Sequence, residues 1–384
     1  MSDPRRGSDG SGPLFLLLKS PALSNLYELS CCIRISDRAT DIVIIPSGPS
    51  ATGRRFIEDA ASRDGYFQDP TCVSVCSMWN RLFRSQLERV KHVWGRGNVW
   101  TNGPISHWLQ HPRVQARINA KVTGGLPGDR FQYFLERYLK GRLPVDRALT
   151  LGCGAGELER GLSKYNFARV HVGLDISDHA VQLARDAASK EGISGLQYRL
   201  AELNTLQLEP STYDVAFAVS SIHHVHKLEH LFEQINRALK PDGYFFLDEY
   251  IGPTQFQWTD AQLGIMNEQL RKLPAHLTRR ASERSAFKTE IVRKSFEHMN
   301  AADPSEAIRS GDIVKLMKRY FNVVEFKGYG GSLLHELLYD IAGNFTDQEA
   351  GSLELLEELF QLEDELIANG TLPHDFAVII AGKS

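Results

Sequence analysis

The chain has 384 residues, of which 42% are hydrophobic, and a formal net charge of −3 at pH 7. This length suits one large domain with appendages, and the small net charge gives no global sign of nucleic-acid binding. No apolar run approaches about eighteen residues, which argues against a membrane-spanning helix, and the run at 14–18 is too short for a signal peptide. We therefore expect a cytoplasmic protein with neither a membrane nor a nucleic acid as its partner.

Two stretches of different character come first in the chain. Residues 1–75 are rich in serine, glycine, aspartate and arginine, with short β-like runs such as 41–45, and we predict an irregular or partly disordered extension. Residues 76–145 are aromatic and helical in pattern, which predicts a helical cap before the core. The aromatic rings either pack these helices onto a sheet or cover a bound ligand. They include Trp79, Phe83, Trp94, Trp100, Trp108, Phe131, Tyr133 and Phe134.

A short apolar strand then runs into a glycine turn at residues 148–156, A-L-T-L-G-C-G-A-G. Glycines lack a Cβ and are needed where a ligand lies against the backbone. The next predicted strand, 168–174, ends at Asp175, whose carboxylate can accept hydrogen bonds from two ribose hydroxyls. Glu157 stands where a dinucleotide-binding loop has its third glycine, which favours a nucleoside without phosphates, and S-adenosylmethionine is the cofactor we predict. A turn that binds no nucleoside is the alternative.

Three further strands are predicted, and each ends in polar residues. They span 196–201, 213–219 and 244–247, with a helix at 228–239 and a turn at 240–243 between the last two. The carboxyl ends of parallel strands meet at one edge of a sheet, so we expect these polar side chains to lie near one another. They are Glu202, Ser220, His223, His224, Asp248 and Glu249.

Residues 146–384 resemble the class I S-adenosylmethionine-dependent methyltransferases. The resemblance rests on the segments L-T-L-G-C-G-A-G, G-L-D-I-S, A-E-L-N, Y-D-V-A-F-A-V-S-S-I-H-H and L-K-P-D-G-Y-F-F-L-D-E-Y. It implies an α/β fold with a Rossmann-like, doubly wound sheet of seven strands. The last two strands then fall at 322–326 and 375–381, and the final one is antiparallel. The cofactor implied is again S-adenosylmethionine.

The resemblance also implies roles for single residues in cofactor binding. Asp175 holds the ribose, Ile176 covers the adenine and Glu202 accepts a hydrogen bond from its amino group. Thr150 departs from the family, which often has an acid there that organises the methionine end. The predicted cofactor-binding residues are Gly152, Cys153, Gly154, Gly156, Asp175, Ile176, Glu202, Leu203 and Ser220. We assign Cys153 no nucleophilic role.

The candidate catalytic residues follow the fourth and fifth strands. We interpret His223 or His224 as a pocket residue beside the transferred methyl group, because histidine can take a proton from a hydroxyl near neutral pH. A histidine that only hydrogen-bonds a neighbouring loop is the alternative. Asp248 and Glu249 are the rival bases.

Neither the other histidines nor the cysteines predict a metal site. His226, Glu229 and His230 have the spacing of one helical face, yet no metal-binding motif accompanies them. Residues 31, 32, 72 and 76 are cysteines without partner histidines at the spacing of a zinc site, so reduced thiols are expected. We therefore expect no bound metal.

About seventy residues separate the fifth strand from residue 322, far more than an ordinary connection. We predict a helical insertion at about 251–318 that selects the substrate. Its positive charge fits either an anionic acceptor or a solvated helix face. The charged residues are Arg271, Lys272, Arg279, Arg280, Arg284, Lys288, Arg293 and Lys294.

The predicted function is methyl transfer to a small molecule, at a hydroxyl of a metabolite or sugar. A weaker similarity to bacterial small-molecule methyltransferases suggests natural product biosynthesis. The alternatives are a protein or nucleic-acid methyltransferase and a scaffold that binds the cofactor without catalysis. Ser220-Ser221-Ile222-His223 stands where enzymes that methylate adenine bases have N-P-P-Y, which argues against that activity.

Overall fold

The computed structural model describes residues 31–35, 42–46 and 103–384. The chain divides into two units, Met1–Arg84 and Ser85–Ser384. In the first unit, strands β1 (Cys31–Ile35) and β2 (Ile42–Pro46) form an antiparallel pair, and β2 coincides with a predicted β-like run. The rest of the predicted extension lies outside the described residues. So do the predicted aromatic residues Trp79, Phe83, Trp94 and Trp100.

A seven-stranded sheet with the order β5-β4-β3-β6-β7-β9-β8 forms the centre of the second unit. Strands β3 to β7 are parallel, and β9 is antiparallel to both of its neighbours. The predicted α/β class, the seven strands and the antiparallel final strand are therefore confirmed. The strands are β3 (Val145–Leu151), β4 (Ala168–Asp175), β5 (Leu196–Leu200), β6 (Tyr213–Val219), β7 (Leu239–Tyr250), β8 (Phe321–Gly330) and β9 (Phe376–Lys383).

The sheet is covered on both faces. Val215 and Phe217 of β6 belong to one buried cluster, whereas Ala216 and Ala218 belong to another. Successive side chains of a strand point to opposite faces, so both faces of the central strands are buried. The helices are α1 (Pro112–Thr123), α2 (Arg130–Tyr138), α3 (Glu157–Ser163), α4 (Asp178–Lys190), α5 (Leu228–Ala238), α6 (Asp260–Lys272), α7 (Phe296–Ala302), α8 (Ile313–Tyr320), α9 (Leu334–Leu338) and α10 (Ser352–Ala368).

Local sequence explains several helix ends. Helix α1 begins with Pro112 after the cap His111, whose ring accepts the amide of Arg113, and it ends at Gly124 in the left-handed conformation. Thr259 and Gln262 form a reciprocal capping box at the start of α6. Within the residues that the structure describes, no helix combines the length and apolar character needed to cross a bilayer.

Two predicted details are wrong. The predicted turn at 240–243 lies inside β7, which begins at Leu239, and the register against β6 shifts there. The insertion does contain α6, α7 and the start of α8, but 279–295 is not helical. Lys288 is buried in this segment, where its ammonium group donates to the carbonyls of Leu337 and Tyr339.

Several other cations of the insertion are also engaged internally. Arg280 pairs with Asp340, and Arg293 pairs with Asp260 and donates to the carbonyl of Trp258. These contacts hold the insertion together and are not typical of a patch kept open for an anion.

Candidate active site

The glycine turn after β3 adopts backbone conformations that favour glycine. The φ angles of Gly152, Gly154 and Gly156 are 71°, 52° and 79°. A Cβ on Gly152 would lie 2.4 Å from Cβ of Ser221, and one on Gly156 would lie 2.6 Å from the hydroxyl of Tyr198. A Cβ on Gly154 would meet nothing within 4 Å. Packing therefore requires glycine at 152 and 156, while Gly154 borders open space that a ligand can occupy.

Asp175 ties the end of β4 to this turn. One of its carboxylate oxygens accepts the amide of Gly154 and the other accepts the amide of Ser177, each at 2.9 Å. A carboxylate has about four acceptor positions, so lone pairs remain for two hydroxyls. Burial raises the pKa of Asp175, and the backbone amides act in the opposite direction. The geometry fits the predicted contact with ribose.

The other predicted cofactor residues follow the carboxyl ends of strands at the same edge. Ile176 is half-buried after β4, and half-buried Glu202 and Leu203 follow β5. Ser220 is exposed after β6, has a φ of 48° and donates its amide to the carbonyl of Asp248. Cys153 is buried, and burial raises the pKa of its thiol, which therefore stays protonated. The assignment of these residues to the cofactor remains a prediction.

Sequence reasoning missed a buried acid next to Thr150. Glu159 on α3 is fully buried, and neither of its carboxyl oxygens has a hydrogen-bond partner among the described residues. Burial raises the pKa of Glu159 to about 7, although nearby Thr150 acts in the opposite direction. The hydroxyl of Thr150 lies 2.9 Å from Nε2 of His171. An acid is thus present close to the position where the family has one, but it comes from the following helix.

Glu249 organises the loop that carries the histidine pair. Its buried carboxylate accepts the amides of Ser221, Ile222 and Tyr250 at 2.7–2.8 Å. It also lies 2.5 Å from Nδ1 of His223. With these four partners Glu249 is suited to hold the loop and the imidazole, not to receive a substrate proton.

The two adjacent histidines have opposite electrostatic surroundings. Burial alone would lower the pKa of His223, but Glu249 and then Glu306 outweigh it and raise that pKa to about 9. Burial, together with the charge on His223, lowers the pKa of His224 well below its usual value. At neutral pH the pair therefore holds one protonated and one neutral ring.

Asp248 lies in a buried ionic network with a helix of the cap. Its carboxylate pairs with the guanidinium of Arg130 at 2.5 Å and accepts the hydroxyl of Tyr329 at 2.7 Å. Gln115 and Asn119 of α1 accept further hydrogen bonds from Arg130. Helices α1 and α2 are thus attached to the functional edge of the sheet. Like Glu249, Asp248 is engaged on both oxygens.

His226 and His230, which have the spacing of one helical face, do not form a site with Glu229 in the structure. Glu229 forms an ion pair with Arg309, and the ring of His230 contacts the carbonyl of Leu206 at 2.8 Å. His226 is exposed. The structure instead places the insertion residue Glu306 against His223 and His224. No signal in the sequence connects Glu306 to that pair.

The aromatic residues of the cap that the structure describes mainly pack. Trp108 is fully buried and contacts Tyr329 and Phe376, with ring centroids 6.5 and 5.1 Å apart. Phe134 packs against Phe217 and Phe246 of the sheet. For these residues the packing interpretation fits better than a cover over the ligand.

Residues 149–247 match the family model described as a methyltransferase domain. This range contains the glycine turn, Asp175 and the histidine pair, and it coincides with most of the parallel sheet. The chain carries a class I S-adenosylmethionine-dependent methyltransferase domain. The cofactor of the domain is S-adenosylmethionine, and the open space at Gly154, together with the free acceptor positions of Asp175, fits that molecule.

Known proteins similar to this methyltransferase domain act on different acceptors. A sterol 24-C-methyltransferase of Gibberella zeae is 24% identical over 251 residues, which are 61% of this chain and 64% of that protein. The 27-O-demethylrifamycin SV methyltransferase of Amycolatopsis mediterranei is 32% identical over 117 residues, 29% of this chain and 43% of that protein. The chain spans about a third to two thirds of the length of the first curated relatives it matches.

Among solved structures, the geranyl diphosphate C-methyltransferase from Streptomyces coelicolor A3(2) is similar to this chain. The two share 12% sequence identity with a TM-score of 0.45, over 79% of this chain and 99% of that one.

Proposed function

We propose that the protein transfers the methyl group of S-adenosylmethionine to a hydroxyl of a small molecule, such as a metabolite or a sugar. The observation that carries this proposal is the placement of His223 and His224 directly after β6, next to the glycine turn after β3. The methyl acceptor then lies at this edge of the sheet, against polar side chains. The rifamycin relative, whose name describes a small-molecule methyltransferase, supports the choice of acceptor class.

When bound, S-adenosylmethionine supplies a methyl group on a positively charged sulfur, so the protein mainly aligns the acceptor for in-line displacement. Asp175 and the glycine turn fix the nucleoside. A hydroxyl acceptor must also lose its proton, and the histidine pair is the group that we assign to this task. Glu249 supports the pair through its contacts with Nδ1 of His223 and with the loop amides, whereas Arg130 and Tyr329 occupy the carboxylate of Asp248.

Asp175→Ala is expected to weaken S-adenosylmethionine binding by about 1–3 kcal/mol, because hydrogen bonds to a charged acceptor are lost. Isothermal titration calorimetry on the purified full chain measures this. Asp178→Ala is the matched control, since it removes an exposed aspartate three residues further along. Equal affinity in wild type and Asp175→Ala contradicts the ribose assignment. Failure of the wild type to bind S-adenosylmethionine contradicts the proposed activity.

His223→Ala and His224→Ala are expected to lower turnover by about 10²–10⁴-fold, the usual contribution of acid–base assistance. Cofactor affinity should stay nearly unchanged, because neither ring belongs to the predicted nucleoside contacts. Turnover is measured as S-adenosylhomocysteine released with an acceptor found by screening hydroxylated metabolites. Full turnover in both variants contradicts the assignment of the base to the histidine pair and leaves the rival bases of the sequence analysis, Asp248 and Glu249, which would first have to release the partners they have in this structure.

A carbon acceptor is the second candidate, because the sterol relatives are described as C-methyltransferases. Mass spectrometry of the methylated product separates the two, since an O-methyl and a C-methyl group fragment differently. Protein and nucleic-acid acceptors remain alternatives to be included in the same screen. A negative charge on the acceptor, a cytoplasmic location and a role in natural product biosynthesis remain predictions from the sequence.

A further inference from the structure

The insertion brings Glu306 against the histidine pair at the end of β6. Nε2 of His223 lies 3.5 Å from Oε1 of Glu306, and Nε2 of His224 lies 3.9 Å from Oε2. One ligating atom from each of the three residues can be chosen so that all lie within 4.8 Å of one another. Ligands of one ion at bond lengths of about 2.0–2.2 Å stand roughly 3–4 Å apart, so the spacing is close to that of a metal site.

Both imidazoles are oriented through their other ring nitrogen. Nδ1 of His223 lies 2.5 Å from Glu249, and Nδ1 of His224 lies 3.1 Å from the hydroxyl of Ser305. Ser305 in turn donates to Asp303 at 2.7 Å. Histidines that ligate metals commonly hold their second nitrogen on a carboxylate or another polar group in this way. The arrangement leaves Nε2 of each ring next to the same carboxylate.

We propose that His223, His224 and Glu306 bind one divalent transition-metal ion, and that this ion holds the oxygen of the methyl acceptor. The inference rests on the proposed function and deepens it by assigning how the histidine pair acts. Two imidazoles and one carboxylate suit Zn²⁺, Mn²⁺ or Fe²⁺ and leave coordination positions for a substrate. The three side chains are 10%, 15% and 25% exposed, so the site is largely buried but still in contact with solvent.

A hydroxyl bound to a divalent ion loses its proton far more readily than a free hydroxyl. In the proposed step, the acceptor hydroxyl replaces a hydroxide on the ion, and that hydroxide leaves as water with the acceptor's proton. The acceptor oxygen then bonds to the methyl carbon, the sulfur–carbon bond breaks, and the sulfur keeps the electron pair. Neither histidine needs to receive the proton itself.

The test titrates the full chain, freed of metal with a chelator, with ZnCl₂ and separately with MnCl₂ in a calorimeter. We expect one ion per chain. Glu306→Gln and His224→Ala each lose a ligand and should bind the ion at least about 100-fold more weakly, which exceeds the usual effect of losing a residue that only hydrogen-bonds a ligand. Ser305→Ala keeps every ligand and should lose about 10–100-fold. His226→Ala and Glu297→Gln remove exposed groups of the same types and should bind as wild type does.

Titration of the same samples with S-adenosylmethionine separates this proposal from the proposed function. If the cofactor binds but neither ion does, or if Glu306→Gln binds an ion as wild type does, the metal proposal is overturned and the proposed function stands. If the wild type fails to bind the cofactor, the proposed function fails whatever the ion does. Loss of turnover on chelation, reversed by one of the ions, supports the proposal, whereas full turnover in the chelated enzyme overturns it.

Discussion

Gly152→Ala is expected to lower the free energy of unfolding by about 2–5 kcal/mol. A left-handed backbone costs a residue with a Cβ about 1–2 kcal/mol, and overpacking costs about 1–3 kcal/mol more. Both apply, because φ of Gly152 is 71° and the new Cβ would lie 2.4 Å from Cβ of Ser221. Ser221 has little freedom to move, since its hydroxyl donates to the carbonyl of Leu151 and its amide to Glu249. Urea denaturation of the full chain measures the change.

Gly154→Ala is the comparison that separates stability from cofactor binding. Its φ is also positive, but the added Cβ meets no atom within 4 Å, so only the backbone cost of about 1–2 kcal/mol applies. The Cβ would enter the space assigned to S-adenosylmethionine, and calorimetry should show weaker cofactor binding. Gly192, just after the carboxyl end of α4, has a similar φ of 65° and equally open space, so Gly192→Ala should bind the cofactor normally. Unchanged stability in Gly152→Ala contradicts the packing of this turn against Ser221. Unchanged cofactor affinity in Gly154→Ala contradicts the placement of S-adenosylmethionine next to Gly154.

The parallel part of the sheet could be predicted because its signals are local. The run 213–219 is apolar except for Asp214, and the structure buries it on both faces as β6. Asp175 follows a strand and a glycine turn at the spacing that places an acid at the edge of the sheet. Both features depend only on neighbouring residues, so β4, β5 and β6 nearly coincide with the predicted strands, whereas β7 is longer than predicted.

Contacts between distant segments could not be predicted. Arg130 and Asp248 are 118 positions apart, and neither has a neighbour in the sequence that marks it as half of an ion pair. Glu306 reaches the histidine pair only because the insertion folds back, where the amide of Ile308 donates to the carbonyl of His223. Helical spacing instead pointed to His226 and His230, which the fold uses separately. A periodic pattern describes one element and carries no information on how an insertion packs.

The positive charge of the insertion illustrates the same limit. A run of basic residues predicted a solvated helix or an anion site, and the structure shows 279–295 without a helix. Lys288 is buried with carbonyl oxygens around its ammonium group, and burial lowers its pKa to about 8. Charged residues are exposed on average, but a lysine can be buried when backbone carbonyls accept hydrogen bonds from its ammonium group, and it then links the segments that carry those carbonyls.

Arg130→Met is expected to destabilise the fold by about 3–5 kcal/mol, the usual result of removing one partner of a buried ion pair. The side chains of Arg130 and Asp248 are 12% and 3% exposed, so the carboxylate would remain buried with the hydroxyl of Tyr329 as its strongest contact. The double variant Arg130→Met/Asp248→Asn removes the uncompensated charge and should recover much of the loss. Chemical denaturation of the four proteins forms a double-mutant cycle.

Arg169→Met is the matched control for this cycle. Arg169 pairs with Asp146 at 3.5 Å, but both side chains are about two thirds exposed, at 67% and 68%, so water screens the pair and little stability should be lost. A loss in Arg130→Met no larger than in Arg169→Met contradicts a buried ionic attachment of the cap. A large loss in Arg130→Met that the second substitution reverses supports it, because only relief of a buried charge makes two changes less harmful than one.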